Sequence, residues 1–162
     1  MPISATDYAH VRLTVTDIDR SRAFYDAVFG FPVAFEAPPA DADQETKDQL
    51  SFLFGGVIYR FGGGLLGLRP VAPDGDRHDE DRVGLDHLCF TVASLADLRD
   101  AVVVLDDLGI AHEGIKDIGV GHILEFRDPF GVRWSIMTRV EDLSEEQSSA
   151  RVAEWAESMG QG

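Results

Sequence analysis

The chain has 162 residues, 44% of them apolar, and a formal charge of −15 at neutral pH, which suits one compact domain or two small packed modules. Charge of that sign repels phosphate backbones and anionic lipid surfaces, and no apolar run approaches the roughly 20 residues that cross a bilayer, so nucleic acid and membrane drop out as partners. The single cysteine, Cys89, allows no internal disulfide and the start MPISATDYAH has no basic-then-apolar leader, so a cytoplasmic protein is expected.

The first element in chain order is a strand opening at His10. In HVRLTV, Val11, Leu13 and Val15 alternate on one face, which puts His10 and Arg12 on the other. A helix follows, capped by Asp17 or Asp19 and closed near Gly30. Three strand segments come next: PVAFE, then LSFLF running with VIYRF, then GLLGLRPV, punctuated by the glycines at 55–56 and 62–64. Pro70 to Arg82, rich in Pro, Asp and Gly, reads as an acidic linker.

The same order then recurs. HLCFTV from His87 sets Leu88, Phe90 and Val92 on one face and His87 with Cys89 on the other. Ser94 caps a helix in which Leu95, Leu98, Val102, Leu105 and Leu108 recur every three or four residues, and Gly109 suits a left-handed C-terminal cap. Strands IAHEGI, HILEFR and VRWSIM complete the copy. In the tail, Ser144 with Gln147 makes a capping box, and Val152, Trp155 and Met159 form the apolar stripe of a short amphipathic helix, packed on the body or on a second copy.

Laying HVRLTVTDIDRSRAFYDAVFGFPVAFE over HLCFTVASLADLRDAVVVLDDLGIAHE exposes an internal repeat of β-α-β-β-β units. The order and spacing of H-x-x-L-x-V with DIDRSRAFYDAVFGF, of GLDHLCFTV, and of FRDPFG before the last strand resemble the vicinal oxygen chelate superfamily over about residues 8 to 140. This superfamily contains glyoxalases, bleomycin-resistance proteins and extradiol dioxygenases. The resemblance implies an α+β fold of two tandem βαβββ modules (8–69 and 83–140, joined by linker 70–82) forming a curved mixed sheet around a shared pocket; the helical tail expected at 141–162 lies beyond it. It also implies a divalent metal in many members, held by first-strand histidines and last-strand carboxylates.

His10 and His87 match the two histidine positions, whereas Gly67 and Ser135 stand where the carboxylates would be. Glyoxalase I activity itself is therefore not expected. Hairpin geometry supplies a substitute: D-P-F-G suits a type I turn closed by a glycine bulge, which sets Asp128 against Val132 and Glu125 against Ser135. In that register Phe126 faces Trp134 and Leu124 faces Ile136, an all-apolar side. His10, His87 and Glu125 are then the expected metal ligands, and Glu125 is the candidate general base if it is not a ligand.

Arg12, Arg69 and Arg133, on the same faces as the histidines, Gly67 and Ser135, are candidates for gripping an anionic or carbonyl-bearing substrate, with Cys89 and Ser135 beside them. Arg127 opposite Arg133 would repel unless solvent or an anion intervenes. His78 and His112 read as solvated, and His122 as facing the Leu124 side. Two functions follow: a metal-dependent isomerase, epimerase, lyase or oxygenase for a small organic substrate, or a metal-free protein that sequesters a drug or metabolite. A homodimer is the expected assembly.

Overall fold

The computed structural model describes residues 8–139, 149–151, 153, 154 and 157. The capping pair Ser144 and Gln147 and the stripe Val152, Trp155 and Met159 lie outside the described residues. The chain divides into two compact units with the break between Arg77 and His78, inside the segment expected to be the linker.

In the first unit, β1 (His10–Val15) leads into α1 (Ile18–Val28), then β2 (Val33–Glu36), α2 (Gln44–Gln49), a 3-10 turn (Ser51–Leu53), β3 (Val57–Phe61) and β4 (Gly64–Pro70). The second unit runs β5 (His87–Thr91), α3 (Leu95–Asp107), β6 (His112–Asp117), β7 (Gly121–Arg127) and β8 (Arg133–Arg139). The sheet orders are β1-β4-β3-β2 and β5-β8-β7-β6. Each sheet is mixed, with its first and last strands parallel and the rest antiparallel. The repeat in sequence is thus a repeat in topology.

Each unit has its own core on the helix side of its sheet. Leu13, Val15, Tyr25, Val57, Tyr59, Leu66 and Leu68 fill the first, and Leu98, Leu105, Leu124, Phe126, Trp134 and Ile136 the second. The caps follow local chemistry. Asp17, rather than Asp19, accepts the Arg20 amide at 3.0 Å, and Ser94 accepts that of Asp97 at 3.2 Å. Gly30 and Gly109 take positive φ beyond the helix ends, a conformation open to residues without Cβ.

One expected strand segment is something else. LSFLF does not extend β3: Asp43 caps the short α2, and the chain passes through the 3-10 turn and a left-handed Phe54 (φ 55°) before β3 starts at Val57. Leu53 is fully buried while Phe52 and Phe54 are about half exposed. The apolar run is a folded loop with one anchor, not an alternating strand. A Cβ on Gly56 would sit 1.9 Å from the Leu68 carbonyl oxygen, so only glycine lets this loop rejoin the sheet.

Candidate functional site

The DPFG turn positions the second unit's open face. The Asp128 amide donates to Val132 O at 3.0 Å, Gly131 N to Asp128 O at 3.1 Å, and Gly131 takes φ 95°. Buried Asp128 Oδ1 also accepts the amides of Phe130 and Val132, both at 2.9 Å. The resulting register pairs Glu125 with Ser135, Phe126 with Trp134 and Leu124 with Ile136, as the turn chemistry predicts. On β5, Cys89 pairs with Ser135 and His87 with Arg133. Because paired residues point to one side of a sheet, His87, Cys89, Glu125, Arg127, Arg133 and Ser135 share a face.

Charges on this face are tied into a row. His87 Nδ1 and Asp86 Oδ1 form a very short contact, and Arg133 Nη2 lies 3.5 Å from the same Asp86 oxygen. The bond from His87 is the main cause holding the Asp86 carboxyl below its usual range, with Arg133 assisting. An ionised Asp86 accepts, so Nδ1 donates, and Nε2 takes no hydrogen bond among the described residues. The carboxylate oxygens of Glu125 lie 3.5 Å from Arg133 Nε and 3.5 Å from Lys116 Nζ. Those distances mark ion pairs at the outer edge of hydrogen bonding, and Arg133 Nε, though buried, makes no hydrogen bond among the described residues.

Ser135 is fully buried, and its Oγ also lacks a partner among the described residues. Although the Cys89 residue is exposed, partial desolvation of its thiol first, and the Glu125 charge second, raise it above its ordinary value, which makes it a poor nucleophile.

The expected clash of Arg127 with Arg133 is resolved by acids from the preceding segment. Arg127 grips both carboxylate oxygens of Glu80 and donates to Gly131 O at 2.9 Å, while Arg133 turns to Asp86 and Glu125. Glu80 is drawn down to about 2 chiefly by that arginine. A cleft of about 410 Å³ opens beside these groups, lined in part by His112, Glu113, Glu125, Arg127 and Arg133. His112 corrects an expectation. It is largely buried, paired with Asp106 at 3.1 Å and accepting the Gly114 amide, because a bulge in β6 folds it back on the end of α3.

In the first unit, His10, Arg12, Gly67 and Arg69 share the corresponding face, with Arg12 paired to Gly67. A Cβ on Gly67 would lie 2.9 Å from Arg12 Cγ, so any side chain there would require Arg12 to shift. Arg12 crosses that space to donate from Nη2 to the carbonyls of Phe52 at 2.8 Å and Leu53 at 3.2 Å. Its guanidinium lies 5.8 Å from the Phe54 ring centre, and that of Arg69 lies 4.2 Å from it. Phe52 and Phe54 escaped the sequence reading because they sit in a run that looks like strand. The glycine pair at 55–56 marks the turn that follows, not the folding of the 3-10 turn before it.

Among the described residues, no three His, Cys, Asp or Glu side chains are drawn together as a ready metal cluster. The donors fit a metal unevenly. His87 has the carboxylate-held imidazole typical of a metal ligand, Glu125 stands between two cations, and Arg12 occupies the space over Gly67.

Two βαβββ units with parallel first and last strands define the paired-module class of the vicinal oxygen chelate fold. The sequence profile of the Glyoxalase/Bleomycin resistance protein/Dioxygenase superfamily matches residues 8–136, and the chain belongs to that superfamily. A glyoxalase/bleomycin resistance protein/dioxygenase domain from Frankia sp. EAN1pec is similar over 86% of this chain and 96% of its own, with 26% identity and a TM-score of 0.68. A lactoylglutathione lyase from Agrobacterium tumefaciens shares the fold at 20% identity, covering 83% of this chain and 95% of its own, TM-score 0.59. The fosfomycin resistance protein FosX from Listeria monocytogenes does so at 13% identity, covering 86% and 96%, TM-score 0.64. No curated protein matches the chain significantly.

Proposed function

We propose that the protein is a metal-assisted enzyme acting on neighbouring oxygens of a small organic substrate, with His87 and Glu125 as ligand donors in the second module and His10 as the donor of the first. The observation that carries this reading is the Asp86–His87 pair. Asp86 holds the imidazole with Nδ1 donating and leaves Nε2 unspent, the arrangement that orients a metal-binding histidine and raises its basicity. FosX, a protein of the same fold, has been seen with Mn(II) and a dihydroxypropylphosphonic acid.

A bound divalent ion would supply Lewis-acid stabilisation of negative charge developing on oxygen. The chain's own residues do the rest. Arg133 faces the same side as Glu125 and steadies its carboxylate at 3.5 Å, and it is positioned to neutralise an anionic substrate group. Where Glu125 is not a ligand it is the general base, with Cys89 and Ser135 beside it on the paired strands. A cytoplasmic home and a homodimer belong to the same reading; the first rests on the lone cysteine, and light scattering of the full chain tests the second.

Elemental analysis of the full chain, purified without chelator, tests the donor set. The expected result is about one divalent ion per chain, lost in His87→Ala and His10→Ala and bound roughly tenfold more weakly in Glu125→Gln. Unchanged stoichiometry and affinity in all three variants would overturn it. A second reading, metal-free sequestration of a small molecule, is favoured by one observation: Arg12 fills the space over Gly67. Tight binding of an organic ligand by a chain that takes up no ion would establish it.

A further inference from the structure

We infer that the open face of the first module is a binding site for a planar aromatic ring bearing a carboxylate, gripped by Phe54, Phe52 and Phe35 and by Arg12 and Arg69. The inference rests on the first module alone and goes beyond the metal donors proposed above.

Charge is the first observation. Acidic residues outnumber Lys and Arg by 29 to 14, and Arg22, Arg127 and Arg133 all pair with carboxylates. Arg12 and Arg69 pair with none among the described residues. Arg69 lies against the Phe54 ring, 4.2 Å from its centre. Arg12 is held by two loop carbonyls and keeps a buried Nε–H without an acceptor. Arg60, Arg82 and Arg99 likewise form no ion pair among the described residues, so what marks Arg12 and Arg69 is that both lie on one face of the sheet with their guanidiniums against the Phe54 ring. Charge-assisted hydrogen bonds from a guanidinium to a carboxylate are stronger than neutral ones, and the partly exposed Arg69 is open to make them.

The aromatic groups are the second. Phe54 adopts φ 55°, a left-handed conformation that is sterically unfavourable for a residue with a large side chain. The residue is nevertheless 53% exposed, so burial does not repay the strain. Phe52 and Phe35 are 45% and 46% exposed, with ring centres 6.3 Å apart. Phe35 pairs with Ile58, which pairs in turn with Gly67, and so belongs to the same face. Gly67 completes the design: its missing side chain is what lets Arg12 lie under the Phe52–Phe54 loop and support it. A ring stacking on these phenylalanines would bring a carboxylate within reach of guanidiniums already placed against Phe54.

The test is a pair of probes, 2-naphthoate and the neutral 2-naphthamide, titrated into the full chain and followed by amide NMR shifts. Naphthoate should bind at least about tenfold tighter than the amide, with shifts centred on residues 12, 35, 52–54 and 69. Arg69→Gln should bring the two probes level. Phe54→Gly, which removes the ring and relieves the backbone, should weaken both while leaving the protein folded. Equal binding of the two probes by the native chain, or shifts confined to residues 78–139, would overturn the inference. Neither variant touches His10, His87 or Glu125, so metal uptake in Arg69→Gln reports on the donor set separately.

Discussion

Gly67 and Arg12 show how a single absent side chain redirects a site. Glycine at position 67 leaves a berth that the Arg12 stem occupies, with 2.9 Å between Cγ and a hypothetical Cβ. Gly67→Ala should therefore displace Arg12 and loosen the Phe52–Phe54 loop, at a cost of about 1–2 kcal/mol in chemical denaturation through lost hydrogen bonds to its carbonyls. Glu80 offers a cleaner electrostatic readout. Its pKa is lowered to about 2 from 4.5, with Arg127 the leading cause, so the pair is formed above the unfolded value and lost as pH falls through the folded one. Carbon-detected NMR should place the Glu80 midpoint near 2 and return it towards 4.5 in Arg127→Met. Cys89 moves the other way: burial and Glu125 both raise its thiol, so alkylation should be slow at pH 8 and faster in Glu125→Gln.

At the scale of elements, the DPFG hairpin is the feature on which the second face depends. Buried Asp128 ties two amides of its own turn, which fixes the offset of β7 against β8. A one-residue slip would send Glu125 to the core and Phe126 to solvent. Asp128→Ala should cost about 1–3 kcal/mol in denaturant midpoint measurements, because two buried amides lose their acceptor, and Asp128→Asn should recover most of it. The helix behind that sheet depends on packing instead. Leu98 is fully buried on α3, and Leu98→Ala should cost about 3 kcal/mol without altering the open face.

For the whole molecule, acidity is the dominant global term. With a formal charge of −15, self-repulsion disfavours the compact state, so added monovalent salt should raise the melting temperature steadily from millimolar to about 0.15 M. No helix among the described residues is long and apolar enough to cross a membrane. Part of the acidity has local duties: Glu80 and Asp86 neutralise Arg127 and Arg133, which would otherwise repel across β7 and β8.

The sequence by itself determined the repeat, the strand faces and the hairpin register, since all three rest on local rules. Alternation with period two sorts His87 from Leu88, and Pro129 with Gly131 dictates a turn whose length fixes Glu125 opposite Ser135. Only the tertiary structure decided the partners of the charged groups and the conformation of the loop at 50–56. Arg12 meets Phe52 and Leu53 across 40 and 41 residues, and Arg127 meets Glu80 across 47. Local pattern carries no information about such pairings, because they depend on where the folded sheet brings distant chain segments. LSFLF misled for the same reason. Its apolar residues satisfy a strand pattern, but the cap at Asp43, the buried anchor Leu53 and the close approach of Gly56 to Leu68 make a folded loop the arrangement that buries Leu53.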